Sequence, residues 1–302
     1  MSMKLVIIAI LLNWLIGLSW GSIVSYKSSL EEILTTPYEY DYRINLDLAF
    51  KKIQDLKYKY RNQLQTKILG NYDGEPIYRI DMPGTGAAKR KKVVITAGVH
   101  GNEAIGVEVV LELIERLAFD NKLRNEYDLV FFPALNPGGL KNYKRAMNNK
   151  IDQQDTWIKG KESKVAKMVI KSLEGEKINM VMDLHEVVSQ DAFFAIRTKN
   201  NKDDLIQKAF AQIPSQYALK AASEAYPQKL YSFSDPKQVA YILQGPGDAV
   251  SMNIGALKNY FSEVLNVEHS YAIEAPKRMK LSEKRVIYLK LVIGFLDKFS
   301  EK

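Results

Sequence analysis

The hydrophobic pattern changes character at Lys92. From there VVITAGV is an unbroken, largely β-branched run that ends at HGNE. EAIGVEVVLELIERL follows with apolar residues at helical spacing, so the segment predicts strand, tight turn, helix. DLVFFPAL and INMVMDL repeat the buried-strand pattern, and the Lys-rich amphipathic stretch SKVAKMVIKSL predicts a helix between them. Further on, NIGALKNYFSEVL reads as helix and YAIEAP as a strand that stops at Pro276. SEKRVIYLKLVIGFLDKF reads as an amphipathic closing helix with Val286, Leu289, Val292, Phe295 and Phe299 near one face. Buried strands alternating with helices argue for an α/β layered sheet.

Ahead of Lys92 the pattern is weaker. Leu46, Leu48, Phe50, Ile53 and Leu56 predict a half-buried helix, and LQTKILGNYDGEPIYRID predicts a hairpin around Asn71, Asp73 and Gly74. MPGTGAAKRKK has the composition of a surface loop. At the start, Lys4 precedes an apolar run, and Ser19 and Gly21 are spaced like a signal-peptidase site, which reads as an export signal. The competing reading is an uncleaved membrane anchor, because the run is only a little short of the roughly 20 residues that span a bilayer. Both readings put the rest of the chain outside the cytoplasm, in a periplasm or secreted. The expected organisation is a signal peptide at 1–21, a helical lead-in at 22–62 and one main domain at 63–302.

Composition narrows the chemistry. With 302 residues, 46% of them hydrophobic, the chain can bury one substantial core. It has no cysteine, so a disulfide framework is excluded and a metal site must draw on His, Asp and Glu. The net charge of +8 comes from lysines spread along the chain, without a nucleic-acid motif. That favours solubility or contact with anionic envelope polymers over nucleic acid.

Of the three histidines, His100 and His185 follow predicted buried strands. Residues leaving the carboxyl ends of different strands converge in an open α/β sheet. Glu103, three residues after His100, can be aimed at the same point by the strand-to-helix turn. Two imidazoles and a carboxylate form an open catalytic zinc shell with a position left for water. An HxxE spacing alone is equally compatible with hydrogen-bonded structural residues. Asp183, two residues before His185, shares its side of a strand and either orients the imidazole or caps a local turn. Glu186 and His269 receive no role.

The segments VVITAGVHGNEAIGVEVVLEL, FFPALNPGGLKNYKRAMNNKIDQQDTW, MVMDLHE and YAIEAP, in this order, resemble the metallocarboxypeptidase superfamily. Within it they resemble bacterial murein-peptide amidases and the succinylglutamate desuccinylase and aspartoacylase branch. The resemblance runs from about Gly74 to the final helix. It implies an α/β fold with a mixed, mostly parallel central sheet flanked by helices on both faces. It also implies one zinc ion per chain held by His100, Glu103 and His185, with Glu274 as the catalytic carboxylate. Arg145 matches an oxyanion-stabilising arginine and Asn136 a pocket-shaping, substrate-side asparagine. Taken in isolation, Glu274 could equally sit in a surface ion pair, and Arg145 could be a solvated member of the KNYKR run with Lys141 and Lys144.

The resemblance breaks at IDQQDTW, where the family has a DLNR-type motif that grips a substrate carboxylate. Asp152 is retained, but Gln153, Gln154 and Asp155 replace the rest, and an acid stands where the arginine is expected. Asp155 would repel a carboxylate, so it either receives an amino group or faces solvent. The expected activity is zinc-dependent cleavage of an amide bond in peptides, with peptidoglycan stem peptides as one candidate. The alternatives are an N-acyl-amino-acid deacylase and a metal-binding homologue without turnover. The expected partners are therefore peptides, N-acyl amino acids or cell-wall fragments, with membrane contact only through an uncleaved N-terminal segment.

Overall fold

The computed structural model describes residues 43–86, 89–147, 149–188, 190–198, 201, 203–220, 242–250 and 255–301. The predicted signal peptide and the first part of the lead-in lie outside the described residues, as do Asn253 and Ile254 of the helix predicted at NIGALKNYFSEVL.

The lead-in helix forms as α1 (Leu46–Lys59), capped by Asn45, whose side chain accepts from the Leu48 amide at 3.1 Å. Its buried residues, including Leu46, Phe50, Ile53 and Leu56, join the main core. The hairpin pairs β1 (Gln65–Tyr72) with β2 (Glu75–Met82) through Asp73 and Gly74. Both loop residues have positive φ, 53° and 82°, the geometry of a type I′ turn that an Asp-Gly pair supplies.

The chain continues through β3 (Lys91–Ala97), α2 (Ile105–Leu117), α3 (Asn121–Glu126), β4 (Tyr127–Phe132), α4 (Pro137–Asn142), α5 (Lys164–Ser172) and β5 (Met180–Val187). Then follow β6 (Phe194–Arg197), α6 (Leu205–Phe210), β7 (Ile242–Gly245), β8 (Asp248–Val250), α7 (Leu257–Glu263), β9 (His269–Pro276) and α8 (Leu281–Ser300).

The strands form one nine-stranded sheet in the order β1-β2-β4-β3-β5-β9-β6-β8-β7. The central strands β4, β3, β5 and β9 are parallel neighbours. Only β2, β6 and β8 run against the rest, so the sheet is mixed and mostly parallel, as expected. Side chains alternate between two buried faces. Val93, Ile95, Met180, Met182, Tyr271 and Ile273 pack with α1, α2, α6 and α8, while Val94, Val130 and Val181 pack with α5 and α7. Burial on both faces explains why these strands read as continuous apolar runs.

Three expectations need correction. His185 lies inside β5, not beyond it, and His100 comes three residues after β3 ends. Val286 is 45% exposed, while Lys284, Ile287, Tyr288 and Leu291 are buried, because α8 is gripped on a far wider face than one apolar stripe. The MPGTG loop is not simply solvated: Thr85 donates its amide to the Arg124 carbonyl at 2.8 Å.

Candidate metal centre

Three strand ends and one turn build the site. After β3 the chain turns through Gly98, whose φ of 66° favours glycine, and reaches His100. A Cβ on Gly101 would lie 1.9 Å from the Gly139 carbonyl carbon, so only glycine lets this turn approach α4. Glu103 ends the turn immediately before α2. On β5, Asp183 and His185 point to the same side of the sheet. β5 pairs in register with both neighbours, Asp183 with Thr96 of β3 and His185 with Glu274 of β9.

His100 Nδ1 lies 2.7 Å from Glu103 Oε1, His185 Nδ1 2.9 Å from Glu103 Oε2, and the two Nδ1 atoms 3.3 Å apart. All three residues are buried, and their ligand atoms lie within 4.8 Å of one another. The opposite nitrogen of His185 is committed: Nε2 lies 2.7 Å from Asp183 Oδ2, and Asp183 Oδ1 accepts from Thr96 Oγ1 at 2.5 Å. The Asp183 carboxylate thus holds Nε2 of His185 from behind and leaves Nδ1 facing the centre. His100 Nε2 has Asp152 Oδ1 at 3.3 Å but no aligned hydrogen bond. Two imidazole nitrogens and a carboxylate, mutually convergent and with His185 steered from behind by Asp183, fit a divalent metal with an open coordination position.

The electrostatics follow from this crowding. Burial alone would raise Glu103, but the imidazoles of His100 and His185 overcome it and hold the carboxyl well below its usual range. Burial would lower both imidazoles; His100 is instead raised by Glu103 and Asp152, and His185 is raised strongly by Asp183 and Glu103. Glu274 is pushed up to about 7 by burial and by the charge of Glu103, against the pull of the histidines and Arg145.

Arg145 bridges the ligand set and the altered loop, with Nε donating to Asp152 Oδ2 at 2.8 Å and Nη1 to Glu103 Oε1 at 3.3 Å. Asn136 is not where the substrate-side expectation put it. It is fully buried, accepts from the Gly139 amide at 2.9 Å and donates to the Arg145 carbonyl at 3.1 Å, so it shapes the loop that carries Arg145. Asp155 is exposed in the short turn Gln153–Asp155. His269 sits at the other end of β9 from Glu274, beside Asp203 at 2.6 Å and the Phe299 ring.

Sequence reasoning left Asp152 without a role, although it faces both His100 and Arg145. It also missed Thr96, whose only signal was a hydroxyl inside an otherwise aliphatic strand.

A profile of the succinylglutamate desuccinylase/aspartoacylase catalytic domain matches residues 89–239, half of the chain. No curated protein sequence matches. Among solved structures, a candidate metallopeptidase from Shewanella amazonensis superposes with a TM-score of 0.64 at 14% identity, over 84% of this chain and 92% of that one. A metallo-carboxypeptidase from Burkholderia cenocepacia gives 0.61 at 14% identity, over 82% and 68%. Bovine thrombin-activatable fibrinolysis inhibitor, in complex with tick carboxypeptidase inhibitor, gives 0.63 at 12% identity, over 86% and 98%. At these identities the structures establish the fold. Together with the profile, they establish that the chain belongs to the succinylglutamate desuccinylase/aspartoacylase catalytic-domain family, hydrolases of metallocarboxypeptidase fold.

Proposed function

We propose that this chain is a zinc-dependent hydrolase of amide bonds in short peptides, acting outside the cytoplasm, with peptidoglycan stem peptides as the leading substrate class. The observation that carries the reading is the convergence of His100 Nδ1, Glu103 and His185 Nδ1 on one point beside Glu274, which is cross-strand to His185.

One zinc ion held by these three residues would supply Lewis-acid polarisation of the scissile carbonyl and a more acidic attacking water. Everything else falls to the chain. Glu274, pushed up to about 7, is suited to take the proton from the attacking water and return it to the leaving nitrogen near neutral pH. Arg145 stabilises the charge that develops on the carbonyl oxygen, and Asn136 fixes the backbone that carries it. Asp183 keeps His185 in the tautomer that ligates.

Asp155 replaces the arginine of the family motif, and its charge there favours a substrate amino group, such as that of a diamino acid, over a carboxylate, while its exposure is what the solvent-facing alternative expects. Export rests on the apolar N-terminal run, and among the described residues no helix is long and apolar enough to cross a membrane. A second reading, deacylation of N-acyl amino acids, is favoured by the family match itself.

The test is a panel of stem peptides, ordinary peptides and N-acyl amino acids incubated with zinc-loaded protein, with products identified by mass and Glu274→Gln as control. Products that disappear with Glu274→Gln while zinc binding persists support the reading, and their masses choose between peptide and acyl substrates. Zinc binding without products from any substrate overturns it in favour of a binding protein.

A further inference from the structure

The ligands come from two separate segments of chain, and Glu186 joins them, directly following His185 in one and touching the other beside Glu103. Its backbone amide donates to Glu103 Oε2 at 3.1 Å. Its side chain accepts from the Ile105 amide at 3.2 Å, at the start of the helix that follows Glu103, and from Lys284 Nζ at 2.8 Å. Lys284 belongs to α8, nearly a hundred residues further along, and its side chain has no exposed surface. One turn along the same face of α8, the Tyr288 hydroxyl lies 2.6 Å from the Ile273 carbonyl and 3.2 Å from the His185 carbonyl. Its single proton can serve either carbonyl, one preceding Glu274 and the other belonging to a ligand. The next residue to Lys284, Arg285, donates to Glu108 of α2 at 2.7 Å.

A buried Lys–Glu pair is a poor device for stability alone, because well-packed apolar residues of similar volume often do as well or better. Its geometry offers something else. Lys284 also donates to the Lys277 carbonyl at 3.2 Å, just beyond β9, while the Glu186 amide and the Tyr288 hydroxyl end on Glu103, on the His185 carbonyl and on the carbonyl preceding Glu274.

We propose that Lys284 and Tyr288 of α8, acting through Glu186 and the carbonyls of His185 and Ile273, are positioning residues that hold Glu103, His185 and Glu274 at the spacing the metal requires. This rests on the assignment of His100, Glu103 and His185 as ligands. It adds a determinant on the far side of the sheet from the open centre: a helix that touches no ligand side chain tunes how tightly the metal is held.

The experiment measures the zinc Kd of the full chain by competition with a chromogenic chelator, beside thermal unfolding. The variants are Glu186→Ala and Tyr288→Phe. The control is Arg79→Met, which breaks a partly buried ion network with Asp81 and Glu176 at the opposite end of β3. The expected result is a zinc Kd about ten- to a hundredfold weaker in Glu186→Ala and several-fold weaker in Tyr288→Phe. Arg79→Met should lose thermal stability and keep the wild-type Kd. If Glu186→Ala does not fold, Tyr288→Phe, which keeps the ring, decides alone. Folded variants that bind zinc within twofold of wild type overturn the proposal, and so does a control that weakens binding as much. Failure of the wild-type chain to bind zinc overturns instead the ligand assignment on which the proposal stands.

Discussion

Glu108 carries a measurable penalty that a single substitution would remove. It is fully buried on α2, and burial, with added repulsion from Glu112 and Glu186, pushes its carboxyl group from the ordinary 4.5 to about 7 despite Arg285 at 2.7 Å. A group whose folded value is raised favours folding while it stays protonated. Its stability is fully present below about 4.5 and is lost as pH rises through about 7. A rise from 4.5 to about 7, at about 1.36 kcal/mol per unit, amounts to about 3 kcal/mol by pH 8, with the attraction of Arg285 already included. Glu108→Gln keeps an oxygen for Arg285 and removes the titration. Urea unfolding followed by circular dichroism, with chelator throughout, should give nearly matching stabilities at pH 4, below the ordinary carboxyl value. The variant should gain by up to about 3 kcal/mol at pH 8. Stability curves that run parallel from pH 4 to 8, or a variant weaker at pH 8, would refute the reasoning.

Asp183→Asn preserves the hydrogen-bonding shape around Thr96 and His185 but removes the charge behind the imidazole. The zinc Kd should weaken about ten- to a hundredfold while thermal stability changes little, and an unchanged Kd would mean that the carboxylate only fills space. Gly101→Ala forces a methyl group into the Gly139 backbone, so the turn carrying His100 and Glu103 must move. It should lower the melting temperature and zinc affinity together, and retention of both would show that the α4 contact is soft.

The parts of the fold that sequence made legible are those where burial on two faces leaves no freedom of residue type. VVITAGV, DLVFFPAL, MVMDLHE and YAIEAP all form strands of the central parallel block. The convergence of His100, Glu103 and His185 was legible because a chain with so few histidines offers few candidates for such a cluster. The short strands β6, β7 and β8 lacked a comparable run, since four residues or fewer carry too little periodicity to distinguish strand from loop. Glu186 and Lys284 were invisible for a different reason. A charged residue read alone predicts solvent, and only the fold shows that each buries the other. Asn136 matched a motif correctly, while its contacts belong to the loop beneath the site.

The position of β9 in the sheet also bears on how the centre comes into being. β9 lies between β5 and β6, both of which precede it in the chain, so the sheet is continuous only once this later strand is in place. Until it is, β5 and β6 present unpaired edges, a state prone to pairing with other chains. The carboxylate Glu274 arrives with that same strand, and Lys284 and Tyr288 follow on α8. His100, Glu103 and His185 all precede β9 in the chain, whereas Glu274 is supplied by the strand that closes the sheet. The strand that brings Glu274 beside His185 is therefore also the one that covers the facing edges of β5 and β6.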